Sequence, residues 1–121
     1  MQTTTVQLLP TTTFGTPSGN YDGSSSFFAG DASKAADYYG GFGQLQTIAY
    51  FLNGFQGTIT IQASLDADPT VDTDWFKVFE SAADSPVTNS FPANIPGNFT
   101  WIRAYVSNFQ AGTITKLIMS Y

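Results

Sequence analysis

Four aspartates crowd into one short segment, LDADPTVDTDWF (65–76), and carboxylates are the most versatile chemical groups that this sequence offers. They are Asp66, Asp68, Asp72 and Asp74. Oxygen ligands at such spacing could bind Ca²⁺, although the segment lacks the central Gly and the final Glu of an EF-hand loop. Two of these carboxylates could also act as a pair in glycoside hydrolysis. The alternative is a solvated turn between strands, in which Asp side chains cap backbone N–H groups.

Most other catalytic chemistry is excluded because the residue types for it are missing. The chain has no Cys and no His, which excludes disulfides, thiolate chemistry, Cys/His zinc sites and imidazole acid–base catalysis. A serine nucleophile would have no imidazole base. Neither the GxxxxGK[ST] nor the GxGxxG phosphate-binding pattern occurs. We therefore predict a protein that is not an enzyme and needs no cofactor, with Ca²⁺ at the aspartate segment left open.

Aromatic residues form the second group that could carry function. They make up 16% of the chain, more than the core of a small β domain can hide together with its aliphatic side chains. Aromatic surface with few charges is typical of a protein interface; a sugar-stacking platform or partial burial under long loops would also account for it. The set considered is Tyr21, Phe27, Phe28, Tyr38, Tyr39, Phe42, Trp75 and Trp101. The interface candidates selected from it are Tyr38, Tyr39, Phe42, Trp75 and Trp101.

The charge balance limits the partners. The net charge is −5, and Lys34, Lys77, Arg103 and Lys116 are the only basic residues. Without a basic stripe to neutralise phosphates, binding to nucleic acid or to anionic lipid is disfavoured. No apolar run approaches the ~18 residues of a membrane span. The N-terminus also lacks the basic and apolar regions of a secretory signal, so we expect a protein made in the cytoplasm with no membrane partner.

The length fits one domain preceded by an extended segment. Residues 1–26 are rich in Thr, Ser, Gly and Pro, which predicts an arm with one short strand near Thr4–Leu9. This arm either stays with its own domain or lies on a neighbouring subunit. Residues 27–121 then form the β domain. Within DASKAADYYGG (31–41), a capping Asp, several alanines and a terminal Gly predict one short helix inside a long loop.

From Leu45 onward apolar and polar residues alternate with the period of half-buried strands. The predicted strands are TITIQASL (58–65), WFKVFE (75–80), FTWIRAYV (99–106) and GTITKLIMSY (112–121). In the third of these, one row comprises Ile102, Ala104 and Val106, and the opposite row comprises Trp101, Arg103 and Tyr105.

One sequence motif, here called the repeated phrase, occurs twice in the chain. TIAYFLNGFQ-GTIT (47–60) aligns with WIRAYVSNFQAGTIT (101–115), which places Phe55 on Phe109 with Ala111 as an insertion. Each copy reads as a strand, a glycine turn and a returning strand, so we predict two similar hairpins. The side chains of Phe55 and Phe109 are expected to fill the ends of the core. The fold class predicted is all-β, an antiparallel, jelly-roll-like β-sandwich with one short helix in a long loop.

The C-terminal half carries a family resemblance. It runs from GTITIQASLD through the acidic proline loop and WFKVFE to GNFTWIRAYV and the closing GTI strand. In these motifs residues 57–121 resemble small virion structural proteins of tailed bacteriophages, notably contractile-tailed phages such as those of marine cyanobacteria. The resemblance implies a β-sandwich virion component and transfers no catalytic residue.

The role expected from this resemblance is that of a capsid decoration, or cement, protein on the phage head. Such a protein would be a homotrimer at three-fold positions of the lattice, bound to the major capsid protein and made in the host cytoplasm. The contacts would come from the five interface candidates and from the arm Gln2–Leu9. Two alternatives are a neck, tail or baseplate component, and a carbohydrate-binding adhesion module that uses Trp75 or Trp101 with Ca²⁺ at Asp66–Asp74.

Overall fold

The computed structural model describes residues 5–34, 45–65, 75–97 and 99–120, and every regular element within them is a β-strand. Three strands of 20, 21 and 20 residues dominate the structure. In chain order the strands are β1 (Thr5–Leu9), β2 (Thr12–Thr13), β3 (Phe28–Ala29), β4 (Ser33–Lys34), β5 (Leu45–Ser64), β6 (Phe76–Pro96) and β7 (Trp101–Ser120). These ranges contain no helix long and apolar enough to cross a membrane. The predicted all-β class is confirmed.

The seven strands form one antiparallel sheet built around β7. One side of β7 pairs with β5 over nearly its whole length, from Ser120 opposite Thr47 to Trp101 opposite Ser64. The other side pairs in succession with β4, β3, β2 and β1. β6 pairs with the far side of β5, which gives the order β1-β7-β5-β6. Four short segments from the first part of the chain therefore cover one edge of β7.

The repeated phrase does not form two hairpins, so that prediction was wrong. β5 and β7 each continue through their copy of the phrase, and the two copies pair with each other, with Gln56 opposite Ala111. Equivalent residues of the two copies meet. The rings of Phe55 and Phe109 lie 5.5 Å apart, and Gln56 Nε2 donates to Gln110 Oε1 at 3.0 Å.

The glycines of the repeat bend the strands instead of reversing them. Gly54 and Gly112 have φ angles of 65° and 88°, and the register of the β5–β7 pairing shifts on both sides of Gln56. An extra residue with positive φ makes a β-bulge, which bends a strand while the pairing continues beyond it. The two copies are therefore a matched pair of bends rather than a pair of turns.

The bends fold the sheet over so that its halves face each other across one core. In β5 the buried side chains include Ile48 and Tyr50 before the bend and Ile59 and Ile61 after it. The change from even to odd numbers follows from the extra residue of the bulge. The halves touch where the ring of Tyr50 lies 6.1 Å from that of Phe79, which pairs with Ile61 beyond the bend. The predicted antiparallel sandwich is thus confirmed, and one continuous sheet builds it.

An aromatic cluster fills the core at the bend. The buried ring of Phe109 contacts four others at centroid distances of 5.2 to 6.3 Å. These are Phe14, Tyr21, Phe28 and Phe55. Tyr21 and Phe28 are 1% and 7% exposed, which corrects the expectation that they lie on the surface; Phe27, at 58%, does lie there. Tyr21 and Phe28 are buried because the segment before β3 crosses the bend, where Phe109 N donates to Ser26 O at 2.9 Å.

β6 is one edge of the sheet within the described ranges, because only β5 pairs with it, and the short strands β1–β4 form the other. This edge strand carries Pro92 and Pro96, and a bulge at Lys77 and Val78 interrupts its ladder. Prolines, bulges and charged residues on an edge discourage another chain from adding a strand. Contacts with a partner are therefore expected on the faces of the sandwich rather than along β6.

Two predictions for the first part of the chain can be compared with the structure. The strand predicted near Thr4–Leu9 is confirmed as β1, and it pairs with β7 of the same chain. The helix predicted within 31–41 is wrong at its start, because Ser33–Lys34 form β4 and pair with the beginning of β7. The ladder offered by β7 outweighs the weak helix propensity of one capping residue and one alanine. The rest of that segment lies outside the described residues.

The hydroxyl of Tyr50 is buried and has no hydrogen-bond partner among the described residues. Its burial raises the pKa of Tyr50 well above the usual range for tyrosine. We expect Tyr50→Phe to leave the free energy of unfolding unchanged or to raise it by up to about 1 kcal/mol, because the substitution removes an unsatisfied polar group. The stacking of the ring on Phe91, at 4.5 Å, is retained. Urea denaturation at neutral pH measures the change.

Tyr21→Phe is the matched control for this prediction. The Tyr21 hydroxyl accepts a 3.0 Å hydrogen bond from Gly15 N, so its removal is expected to destabilise the protein by about 1 kcal/mol. Similar losses of stability in the two variants would contradict the conclusion that the Tyr50 hydroxyl is unsatisfied.

Candidate functional site

One outer face of the sandwich contains both tryptophans. It lies where the second half of β5 runs between the first halves of β6 and β7. Along β7, Ile102, Ala104 and Val106 are fully buried, and the alternate residues are half-buried on the outside, as the sequence predicted. We call the outer surface formed by Gln62, Trp75, Trp101, Arg103 and Tyr105 the tryptophan face.

Arg103 holds the centre of the tryptophan face together. The carbon of its guanidinium lies 4.5 Å from the centre of the Trp75 ring, a cation–π contact. Its Nε donates a 2.7 Å hydrogen bond to Oε1 of Gln62, its neighbour across the β5–β7 ladder. Trp75 directly precedes β6 and belongs to no strand, so this contact helps to fix its position on the face.

The register of the strands places the other two aromatic residues on either side of Arg103. Trp101 lies opposite Ser64, and Tyr105 lies opposite Thr60. Thr60 Oγ1 in turn donates to Glu80 Oε2 at 3.3 Å on the next strand. Ser64 and Thr60 are themselves buried, so the groups that reach the surface of the face are its aromatic rings and the polar ends of Gln62 and Arg103, which are suited to stacking and hydrogen bonding.

The charged groups described near the face include one ion pair on β6. Glu80 lies 4.0 Å from Lys77, and both side chains are largely exposed, so this ion pair contributes little stability. Over the described parts of the chain, no three acidic side chains converge on a point where they could hold a metal ion. The described residues of the tryptophan face offer ring stacking, cation–π contact and hydrogen bonding.

The structure brings together two of the residues selected from the sequence, Trp75 and Trp101. The other interface candidates and the Ca²⁺ candidates lie outside the described residues: Tyr38, Tyr39, Phe42, Asp66, Asp68, Asp72 and Asp74. Three residues of the tryptophan face, Gln62, Arg103 and Tyr105, were not among the candidates selected from the sequence. The alternation around Trp101 was a signal for Arg103 and Tyr105, whereas Gln62 is identified only by the β5–β7 register.

The carboxylate of Asp22 organises the loop between β2 and β3. It accepts hydrogen bonds from the backbone N of Ser25 at 2.7 Å and of Ser24 at 2.9 Å, and from the Ser25 hydroxyl at 2.7 Å. These bonds, led by the one from the Ser25 backbone, lower the pKa of Asp22 from 3.8 to about 2. The ionised carboxylate is thus favoured in the folded protein.

We predict that the charge of Asp22 stabilises the fold above its unfolded pKa of 3.8 and stops doing so as the pH falls through about 2. The sign follows because a pKa lowered by folding favours the folded state only while the group is ionised. Asp22→Asn should be less stable than the unaltered protein at about pH 5, and this gap should shrink towards about pH 2 in urea denaturation. A gap that is independent of pH would contradict the prediction.

The comparisons with known proteins include a distant structural match. No family model matches the chain, and no curated protein sequence matches it. Among solved structures, the K2 cleaved adhesin domain of Lys-gingipain is similar, with a TM-score of 0.42 and 14% sequence identity. The match covers 78% of this chain and 58% of the adhesin domain chain. At this level of similarity, no property of the adhesin domain is carried over to this protein.

Proposed function

We propose that this chain is a non-enzymatic virion structural protein that decorates the capsid of a tailed bacteriophage and stabilises it by bridging capsid subunits. The observation that carries the proposal is the tryptophan face, where Trp75 and Trp101 from different parts of the chain lie half-buried on one outer surface, with Arg103 stacked on Trp75. The resemblance of residues 57–121 to small virion proteins supports the same role.

The physical character of the tryptophan face suits docking on a large protein surface. Its side chains are held by neighbouring strands and by Arg103, so little conformational entropy would be lost on binding. Trp, Tyr and Arg are also the residues that most often dominate binding energy at interfaces. The obstructed edge of β6, the edge nearest to Trp75, disfavours docking there by strand addition. A repeating lattice would then add avidity to a modest single contact.

Capsid binding by face variants tests this proposal. We expect the double variant Trp75→Ala, Trp101→Ala to lose at least about 2 kcal/mol of binding free energy, roughly 30-fold in Kd. Binding is measured by cosedimentation with purified capsids that lack the protein. The two side chains are half-buried, so circular dichroism should show that the variant remains folded.

Phe27→Ala is the matched control, since this exposed phenylalanine lies near the bend and outside the tryptophan face. It should bind capsids as the unaltered protein does. Undiminished binding by the double tryptophan variant, or an equal loss in the control, would overturn the assignment of the face. Capsids whose heat stability does not change when the protein binds would overturn the decoration role.

A carbohydrate-binding adhesion module is the second candidate. It is favoured by the position of the Trp75 ring beside Arg103 and Gln62, because an aromatic ring next to hydrogen-bonding groups can hold a sugar. A glycan array read with and without a chelator tests it. Binding to a glycan that Trp75→Ala abolishes, without any binding to capsids, would favour this module over decoration.

A further inference from the structure

A small cavity lies between β1 on one side and, on the other, the loop that leads into β3 and the residues that follow β3, and it shares no residue with the tryptophan face. Its volume is about 220 Å³, below the roughly 300–1,000 Å³ of pockets that bind drug-sized ligands. A space of this size suits one small group or a single side chain rather than a larger ligand.

The walls of this cavity are held in place from both sides. β1 is anchored in the sheet by its pairing with β7. The opposite wall is anchored by Gly30, which directly follows β3 and whose N donates to Ala104 O at 2.7 Å. The two walls approach so closely that a Cβ on Gly30 would lie 2.7 Å from Leu8 O. The buried side chains of Leu9 and Phe28 supply apolar lining, so the cavity is preformed and part of its surface is apolar.

The polar lining of the cavity has more acceptors than donors left for a ligand. Asn20 Nδ2 donates to Ala29 O at 2.9 Å and to Asp31 Oδ1 at 3.0 Å, which uses both of its hydrogens. The Ser18 hydroxyl donates to Thr11 O at 2.8 Å. What these side chains still offer is Asn20 Oδ1, Asp31 Oδ2 and the lone pairs of Ser18. Among the described side chains, no cation forms an ion pair with Asp31.

We propose that this cavity binds the cationic side chain, Arg or Lys, of a partner protein. The aliphatic part of such a side chain would contact Leu9 and Phe28, and its N–H groups would donate to Asp31 and Asn20. The carboxylate of Asp31 supplies the complementary charge. This site goes beyond the proposed capsid role, because it depends on none of the residues of the tryptophan face.

The test is an NMR titration of the full chain with N-acetyl-arginine methylamide, which presents the side chain as a peptide does. Its uncharged isostere, N-acetyl-citrulline methylamide, is the matched probe. We expect saturable shifts at the amides of Gly19 and Gly30 and at the Asn20 side chain. The citrulline probe should bind at least about threefold more weakly than the arginine probe, and added salt should reduce the difference.

Asp31→Asn should weaken binding of the arginine probe by a similar factor, since the amide can still accept from Asn20 but carries no charge. The control is Asp84→Asn, an exposed position on β6 with the same change in net charge and no expected effect. Equal binding of the two probes, or equal effects of the two substitutions, would overturn the proposal. Free L-arginine separates a peptide side chain from a small molecule: clearly tighter binding of the free amino acid would overturn the assignment to a partner protein.

Discussion

Gly112→Ala is expected to lower the free energy of unfolding by at least about 3 kcal/mol, enough to unfold a marginally stable domain. Gly112 has a φ of 88°, where any side chain is strained. A Cβ there would also collide with the carbonyl group of Gly54 and lie 2.6 Å from Phe55 N. These atoms belong to the backbone of the facing bend, so they cannot move aside without disturbing the β5–β7 pairing. Urea denaturation of the purified variant measures the loss.

Gly15→Ala separates the effect of the collision from the effect of backbone strain. Gly15 has nearly the same φ, 87°, but nothing lies within 4 Å of the position that its Cβ would take. We expect this control to lose only about 1–2 kcal/mol, the cost of positive φ alone. Equal losses at the two glycines would show that the two bends are not in close contact.

Phe109→Ala is expected to reduce the free energy of unfolding by about 3–5 kcal/mol. The ring is 1% exposed and contacts the rings of Phe14, Tyr21, Phe28 and Phe55. Its removal would leave a cavity where the two bends and the crossing loop meet, and the bends limit how far the surroundings can collapse into it. The same denaturation experiment applies, with near-UV circular dichroism to follow the order of the remaining aromatic rings.

Phe27→Ala is the control that makes the loss at Phe109 specific to packing. It removes a side chain of the same type close to the same bend, but one that is largely exposed to solvent. Its effect on stability should stay within about 0.5 kcal/mol. If Phe109→Ala were equally mild, the aromatic cluster would not be the packing centre of the bend.

The alternating strands were the most predictable part of this fold. The order Trp101 to Val106 predicted which side chains face the core, and the structure buries Ile102, Ala104 and Val106 as expected. A period of two identifies the faces of a strand without any knowledge of its partners. The same alternation placed Trp101 on the outside, where it forms part of the tryptophan face.

The bends could not be predicted from the sequence, because glycine is equally typical of a turn and of a β-bulge. Gly54 follows Asn53, Gly112 follows Ala111, and each lies between runs of strand-forming residues, a pattern that favours a hairpin. What decides the outcome is that each long strand finds a partner on both sides of the glycine, which is a long-range property of the sheet. The burial of Tyr21 likewise depends on a loop that crosses a bend which sequence reasoning had not predicted.

The tryptophan face could be predicted in part. Trp75 and Trp101 were selected for their residue type, but their common location depends on Arg103, which reaches across from β7 to the start of β6. That contact follows from the strand order β7-β5-β6, which no local pattern specifies. The fold thus serves the proposed function by bringing two tryptophans from separate segments onto one surface.

The number of copies of this protein in a virion tests the proposed decoration role most directly. Quantitative mass spectrometry of purified phage particles measures it, with the major capsid protein as the internal standard. Because a decorated lattice repeats one site over the whole head, we predict several hundred copies, comparable with the major capsid protein. A few dozen copies or fewer would contradict the decoration role and favour the neck, tail or baseplate, and absence from the particle would leave the carbohydrate-binding module as the function to test.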